Sequence, residues 1–249
     1  MPTLFLQLAA RGAALAAAVL VCSWAHAAGV PGQGTWESTL QARDLNGDKV
    51  VDAYYDTSLH VTWLRDANIN GNMDWDTANT WASQLVVDGV GGWRLPTMID
   101  TGLPGCDISF THGTDCGYNV QTKRGTTVYS EMAHLWYVTL GNKGYYDRAG
   151  NPEQPGWGLS NTGGFQNLGT FSYYWSGLSY APDANFAWDF YVDVGYQYTA
   201  FNLSAFAAMA VHPGDVLAVP EPNPAALLLV GLTSLIVIRR QTARRSWPQ

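Results

Sequence analysis

Basic residues and cysteines are both scarce in this 249-residue chain, which carries 13 Lys plus Arg against 20 Asp plus Glu and only three cysteines. Five of the basic residues, Arg11, Arg239, Arg240, Arg244 and Arg245, lie at the two ends. The stretch from Ala28 to Pro222 therefore has 8 Lys plus Arg against all 20 acids, a net charge of −12. A surface that acidic does not neutralise a phosphate backbone, which excludes nucleic acid as a partner. It suits divalent cations, and sixteen of the acids are Asp, the residue of turns and calcium loops. The cysteines form no C-x-x-C pair and no two histidines are spaced i, i+4, so a zinc set has no sequence support. A Gly-x-Ser-x-Gly elbow and a phosphate-binding glycine loop are also missing.

Long apolar runs occur only at the ends. Arg11 precedes the run Ala13 to Val21, and Ala25-His26-Ala27 supplies the small residues of a signal-peptidase site, so residues 1–27 read as a secretory signal. Cys22 follows bulky Val19, Leu20 and Val21 and does not form a lipobox. At the other end, Val219-Pro220-Glu221-Pro222 leads into an apolar segment, 224–238, and a basic end, 239–245. The fourteen uncharged residues from Ala225 to Ile238 fall short of the roughly 20 that cross a bilayer as a helix. The arginines behind them hold that end on the cytoplasmic side. The segment reads as a transient transmembrane helix and retention signal, with a buried C-terminal core helix as the alternative. Pro220, Glu221 and Pro222, the apolar segment and the Arg-rich end together resemble the PEP-CTERM sorting tail of Gram-negative bacteria that make extracellular polysaccharide. The resemblance implies an exosortase partner, loss of residues 219–249, and a final place in the cell envelope, on the outer surface or in the extracellular matrix.

Between the two signals, residues 28–218 are enough for one domain with a sizeable core. Alternation from Trp36 to Ala42 predicts a first strand. Asp44, Asn46, Asp48, Val50 and Asp52 then take the ligand spacing of the first part of an EF-hand loop, which makes Ca²⁺ the candidate cofactor. Lys49 stands where that loop needs Gly and Tyr55 where it needs Glu, and an Asx-rich turn is the other reading. Residues 53–56 and 60–64 read as a hairpin. Asp74 caps a predicted helix from Trp75 to Val87, whose tryptophans at helical spacing read as core, with a sugar-stacking platform as the other reading. Ser130 caps a second helix, stopped by Gly141. Aromatic and β-branched runs at 173–177, 187–194, 196–201 and 205–212 predict four strands of one antiparallel sheet with the two helices against it, an α+β fold.

Trp93-Arg94-Leu95-Pro96, the aromatic hairpin, the Trp-containing helix and Tyr174-Trp175-Ser176 resemble the DUF1566 (Lcl C-terminal) group over most of residues 52–213. This implies a fold like that of C-type lectins and formylglycine-generating enzymes. Loops on such a scaffold carry recognition, and Trp157, Phe165 and Tyr180 are the candidate ligand-binding aromatics for an extracellular polysaccharide. The calcium-binding Glu-Pro-Asn of sugar-binding lectins does not occur within residues 28–218. Cys106 and Cys116, ten residues apart in an oxidising compartment, are expected to form a disulfide. If they do not, they are the one clue to an enzyme of the formylglycine-generating kind. Asp189 and Asp193 share a strand face as a candidate acid pair. A non-catalytic surface or matrix protein is the expected function, with an enzyme or a purely structural matrix component as alternatives.

Overall fold

The computed structural model describes residues 29–169 and 172–216. The expected secretory signal, the motif Pro220-Glu221-Pro222 and the segment behind it lie outside them. Among the described residues no helix is long and apolar enough to cross a membrane.

Among the described residues the first element is a single helical turn, α1 (Trp36–Thr39), followed by β1 (Leu40–Arg43), β2 (Ala53–Asp56) and β3 (Val61–Leu64). The expected strand from Trp36 is thus only half strand. The Ser38 and Thr39 hydroxyls both donate to the Thr35 carbonyl, and such local bonds compete with a ladder. The helix α2 (Trp75–Gln84) follows, capped as expected by Asp74, whose carboxylate accepts the Thr77 N–H at 2.7 Å. It stops short of Val87, because Asp88 and Gly89, at φ 49° and 83°, turn the chain so that Val87 and Val90 pair.

Next come β4 (Ile108–Ser109), β5 (Cys116–Tyr118) and the small hairpin of β6 (Lys123–Arg124) and β7 (Thr127–Val128). The second helix is α3 (Glu131–His134), capped by the Ser130 hydroxyl and continued by one wider π turn over Leu135–Thr139. Gly141, at φ 67°, ends it. Its backbone lies so close to Gly34 that a Cβ would come within 2.4 Å of the Gly34 nitrogen, so no larger residue fits. The strands β8 (Tyr173–Ser179), β9 (Phe186–Tyr191), β10 (Tyr196–Phe201) and β11 (Val211–Pro213) complete the fold.

The result is an α+β fold of mostly antiparallel sheets with few helices. Its strands divide between two main sheets, rather than one. One runs β1-β2-β3-β11 and the other β4-β5-β10-β9-β8, where only the β4–β5 pair is parallel. The expected fourth strand of the aromatic sheet is the exception. Residues 206–210 bridge Met73 and Tyr174, and β11 then pairs with β3 in the other sheet. Ala207, Ala208, Met209, Ala210 and Val211 are all buried, since this crossing segment is covered on both sides. Trp63, Trp136, Trp175 and Trp188 are fully buried, and Trp75 and Trp81 pack against the cluster around Trp175.

Candidate functional site

Cross-strand partners in an antiparallel pair point to the same face of the sheet. The register pairs Tyr118 with Tyr196, Tyr196 with Tyr191, and Tyr191 with Tyr173, placing four tyrosines side by side across β5, β10, β9 and β8. At the spacing of neighbouring strands the row is roughly 14 Å long. Tyr173 and Tyr191 are stacked with ring centroids 4.1 Å apart, and Tyr118 and Tyr196 are 4.7 Å apart. Tyr198, two residues beyond Tyr196 and stacked on it at 5.4 Å, is 42% exposed.

The row continues off the sheet. Tyr146 lies 4.9 Å from Tyr118, Tyr145 is edge-on to Tyr146 at 5.2 Å, and Trp157 is edge-on to Tyr145 at 5.1 Å. Phe110, also exposed, stacks on Tyr146 at 5.0 Å. Partial burial raises the Tyr118 hydroxyl to about 12, with neighbouring tyrosines adding to the shift. Burial, helped by nearby Asp189 and Asp193, also raises Tyr173, and Tyr191 and Tyr196 move the same way. These hydroxyls therefore stay neutral at ordinary pH. Such a surface offers ring faces for apolar contact and hydroxyls that both donate and accept.

Asp189 lies under this surface, directly opposite Trp175 and Tyr198 in the register. It is 3% exposed, its Oδ1 has no hydrogen-bond partner, and desolvation pushes its carboxyl up to about 8. Asp189 and Asp193, the acids that share a strand face by sequence spacing, are placed differently. Asp193 lies beyond the end of β9, in the turn, where it accepts the Tyr191 hydroxyl at 3.3 Å.

The candidate aromatics Trp157, Phe165 and Tyr180 are not brought together by any ring contact. Trp157 ends the aromatic surface. Tyr180 is half-buried and edge-on to Trp188. Phe165 is corrected outright: it is buried, edge-on to Tyr54 at 5.2 Å, because an aromatic in this loop serves the main core. The long loop after Gly144 is held by buried amides. Asn142 Oδ1 accepts the Ser160 and Asn161 N–H groups, and Asn161 Nδ2 donates to the Leu140 carbonyl.

In the Asp44–Asp52 loop the side chains cap backbone. Asp44 accepts Gly47 and Lys49, Asn46 accepts Asp48, Asp48 accepts Val50, and Asp52 accepts Leu45. Asp52 is raised by desolvation and by the charges of Asp88, Asp48 and Asp44. The acids are thus near one another, but among the described residues no three His, Cys, Asp or Glu gather into a shell for a metal. As it stands the loop is a run of Asx turns.

Cys106 and Cys116 are joined in a disulfide, with Cα atoms 5.2 Å apart. The thiols of the enzyme reading are therefore bonded to each other. The bridge closes a short loop, and replacing both cysteines by alanine is expected to lower the urea midpoint by the equivalent of about 2–3 kcal/mol. An unchanged midpoint would show that the loop is held without it.

A serine, a histidine and an acid do meet, at Ser58, His134 and Asp56, but with the wrong polarity for nucleophilic catalysis. The Ser58 hydroxyl donates to Asp56 at 2.6 Å, so His134 Nε2, 3.0 Å away, must be the donor to Ser58. Of the other histidines, His60 sits at φ 58° in the β2–β3 turn rather than in a strand, and His212 lies edge-on to Trp93.

The motif pieces Trp93 to Pro96 and Tyr174 to Ser176 are structural. Trp175 Nε1 donates to the Met73 carbonyl at 2.9 Å, the Ser176 hydroxyl to the Trp188 carbonyl, and the Arg94 guanidinium grips Glu131 with both terminal nitrogens at 2.8 Å. No family model, curated protein or solved structure matches the chain.

Proposed function

We propose that this is a non-catalytic, exported polysaccharide-binding protein that uses the tyrosine face of its larger sheet. The observation that carries the reading is the aromatic surface from Tyr173 to Trp157, in which the Tyr173–Tyr191 stack and the run from Tyr196 through Tyr118 to Trp157 are set side by side by the register of β9 and β10, open to solvent at Tyr198 and Trp157 and lined by neutral hydroxyls. A protein with no such role has little reason to leave it uncovered. The signal peptide and the Pro-Glu-Pro tail support delivery to the cell envelope or the extracellular matrix after exosortase processing. A lectin-like relationship fits the mixed fold. Calcium enters the same reading at Asp44, Asn46, Asp48, Val50 and Asp52, where a cation would offset the carboxylate repulsion that adds to the effect of desolvation on Asp52.

Calorimetric titration of the purified protein with soluble neutral and acidic polysaccharides, with Ca²⁺ and then with chelator, tests this. Binding is expected, weakened about fivefold by Tyr198→Ala, whose ring lies at the surface and can be removed without opening the core. Silence toward every polymer would sink the reading and leave a structural matrix protein. Equal affinity with chelator would remove the calcium part alone.

A further inference from the structure

The cations between the two end segments are few, and the fold concentrates three of them. Arg43 is paired with Asp215 and Arg94 with Glu131. Lys123, Arg124 and Arg148, together with His112, instead line one open cavity of about 480 Å³, completed by the polar side chains of Asn119 and Gln121. No carboxylate lines it, and among the described residues none of these three cations has a carboxylate within 4.0 Å. Lys123 spends one donor on the Ser58 carbonyl and keeps two. The acid beside Arg148, Asp147, is turned into its own loop, where it accepts the N–H groups of Ala149 and Asn151. In a chain whose exported part carries a net charge of −12, an acid-free cavity with three cations is a place that attracts an anion.

Its position gives it a purpose. Asn119, in the cavity wall, directly follows Tyr118 of the tyrosine row, and its amide donates to the Tyr146 carbonyl at 2.9 Å. The same amide also reaches the Phe110 carbonyl, and the rings of Tyr146 and Phe110 both contact Tyr118, so the row and the cavity adjoin at Asn119 and one extended ligand can lie on the rings and place a substituent among the cations. Resting on the polysaccharide reading above, we propose that the ligand is an anionic polysaccharide, and that Lys123, Arg124 and Arg148 receive its acidic substituent, a carboxylate or a sulfate. Arginine suits either, because its planar fork meets two oxygens of an oxyanion at once.

The test measures binding of alginate, of carboxyl-reduced alginate, of dextran sulfate and of dextran to the wild-type protein and to the Arg124→Gln, Arg148→Gln double variant. Both arginines are exposed, so the fold tolerates the change. The wild type should prefer a charged polymer over its neutral counterpart by about tenfold, with the preference weakening as salt rises, and the double variant should lose that preference. A preference for alginate identifies the substituent as carboxylate, and one for dextran sulfate identifies it as sulfate. Equal binding of charged and neutral polymers, or a preference that survives in the double variant, overturns the cavity's role while the tyrosine reading stands. Failure of all four polymers to bind overturns both.

Discussion

Replacing Arg94 by methionine is expected to destabilise the fold by about 3–5 kcal/mol. The guanidinium makes two 2.8 Å bonds to Glu131, whose other supporting contact is the Thr97 N–H at 2.7 Å. Glu131 is 5% exposed, so without Arg94 its charge is left in a poorly solvated place with one donor. Arg94 also joins elements that are distant in sequence. Its backbone exchanges two hydrogen bonds with Val211 of β11, both 2.9 Å, while its side chain reaches the first turn of α3. Arg94→Lys keeps the charge but not the fork, and should cost roughly 1–2 kcal/mol. The joint Arg94→Met, Glu131→Met variant should recover most of the loss, because no unpaired charge then remains. Urea unfolding of these variants and of Glu131→Met decides the matter. An Arg94→Met variant within about 1 kcal/mol of the wild type, or a double variant as unstable as the sum of Arg94→Met and Glu131→Met, would contradict it.

The Arg94 pair also shows what could be read before the fold was known. The segment Trp93 to Pro96 stands out in the sequence, yet nothing local says that its arginine grips a glutamate on the next helix. Signals that act over a few residues translated well. The caps Asp74 and Ser130, the stop at Gly141 and the two cysteines appear where the chain places them, since each acts through its own neighbours. Asp88-Gly89 was an equally local signal, and it explains why α2 ends three residues before Val87. The tyrosine row had no such signal. Tyr118, Tyr173, Tyr191 and Tyr196 become neighbours only through the register of four strands, and one of those strands, β5, follows a glycine- and aspartate-rich loop without an alternating pattern. Phe165 fails for the converse reason, because a hydrophobic ring in a polar loop reads as exposed when the loop folds back over the core. The cationic cavity was hidden by dispersal: His112, the Lys123-Arg124 pair and Arg148 come from three separate segments.

Asp189 should make the protein less stable as pH rises, the reverse of the usual behaviour of a carboxylate held by a salt bridge. In the unfolded chain this group releases its proton near 3.9. In the folded protein, burial without a partner holds the proton to about 8. Between those values the unfolded state binds fewer protons, so each step up in pH favours unfolding. The penalty is absent below about pH 4 and complete above about pH 8, where it amounts to something on the order of 5–6 kcal/mol. Asp115 shifts in the same direction through desolvation and adds a slope of its own. His134, lowered by burial, acts oppositely and weakens the fold as pH falls below its unfolded value near 6.5. Both of those contributions are shared by an Asp189→Asn variant, which makes the difference between the two proteins the informative quantity. Below about pH 4 the acid is protonated in the folded and the unfolded chain alike, a close equivalent of the amide, and the urea midpoints should nearly coincide. At pH 9 the amide avoids the buried charge, and the variant should be the more stable protein by a few kcal/mol. Equal pH profiles would mean that Asp189 meets solvent or a partner that its position between Trp175 and Tyr198 does not suggest. The same titration bears on binding, since Tyr173 and Tyr196 already feel the Asp189 charge. Above pH 8 an ionised Asp189 lies beneath the tyrosine row, and affinity for an acidic polymer should fall in the wild type but hold in the amide variant.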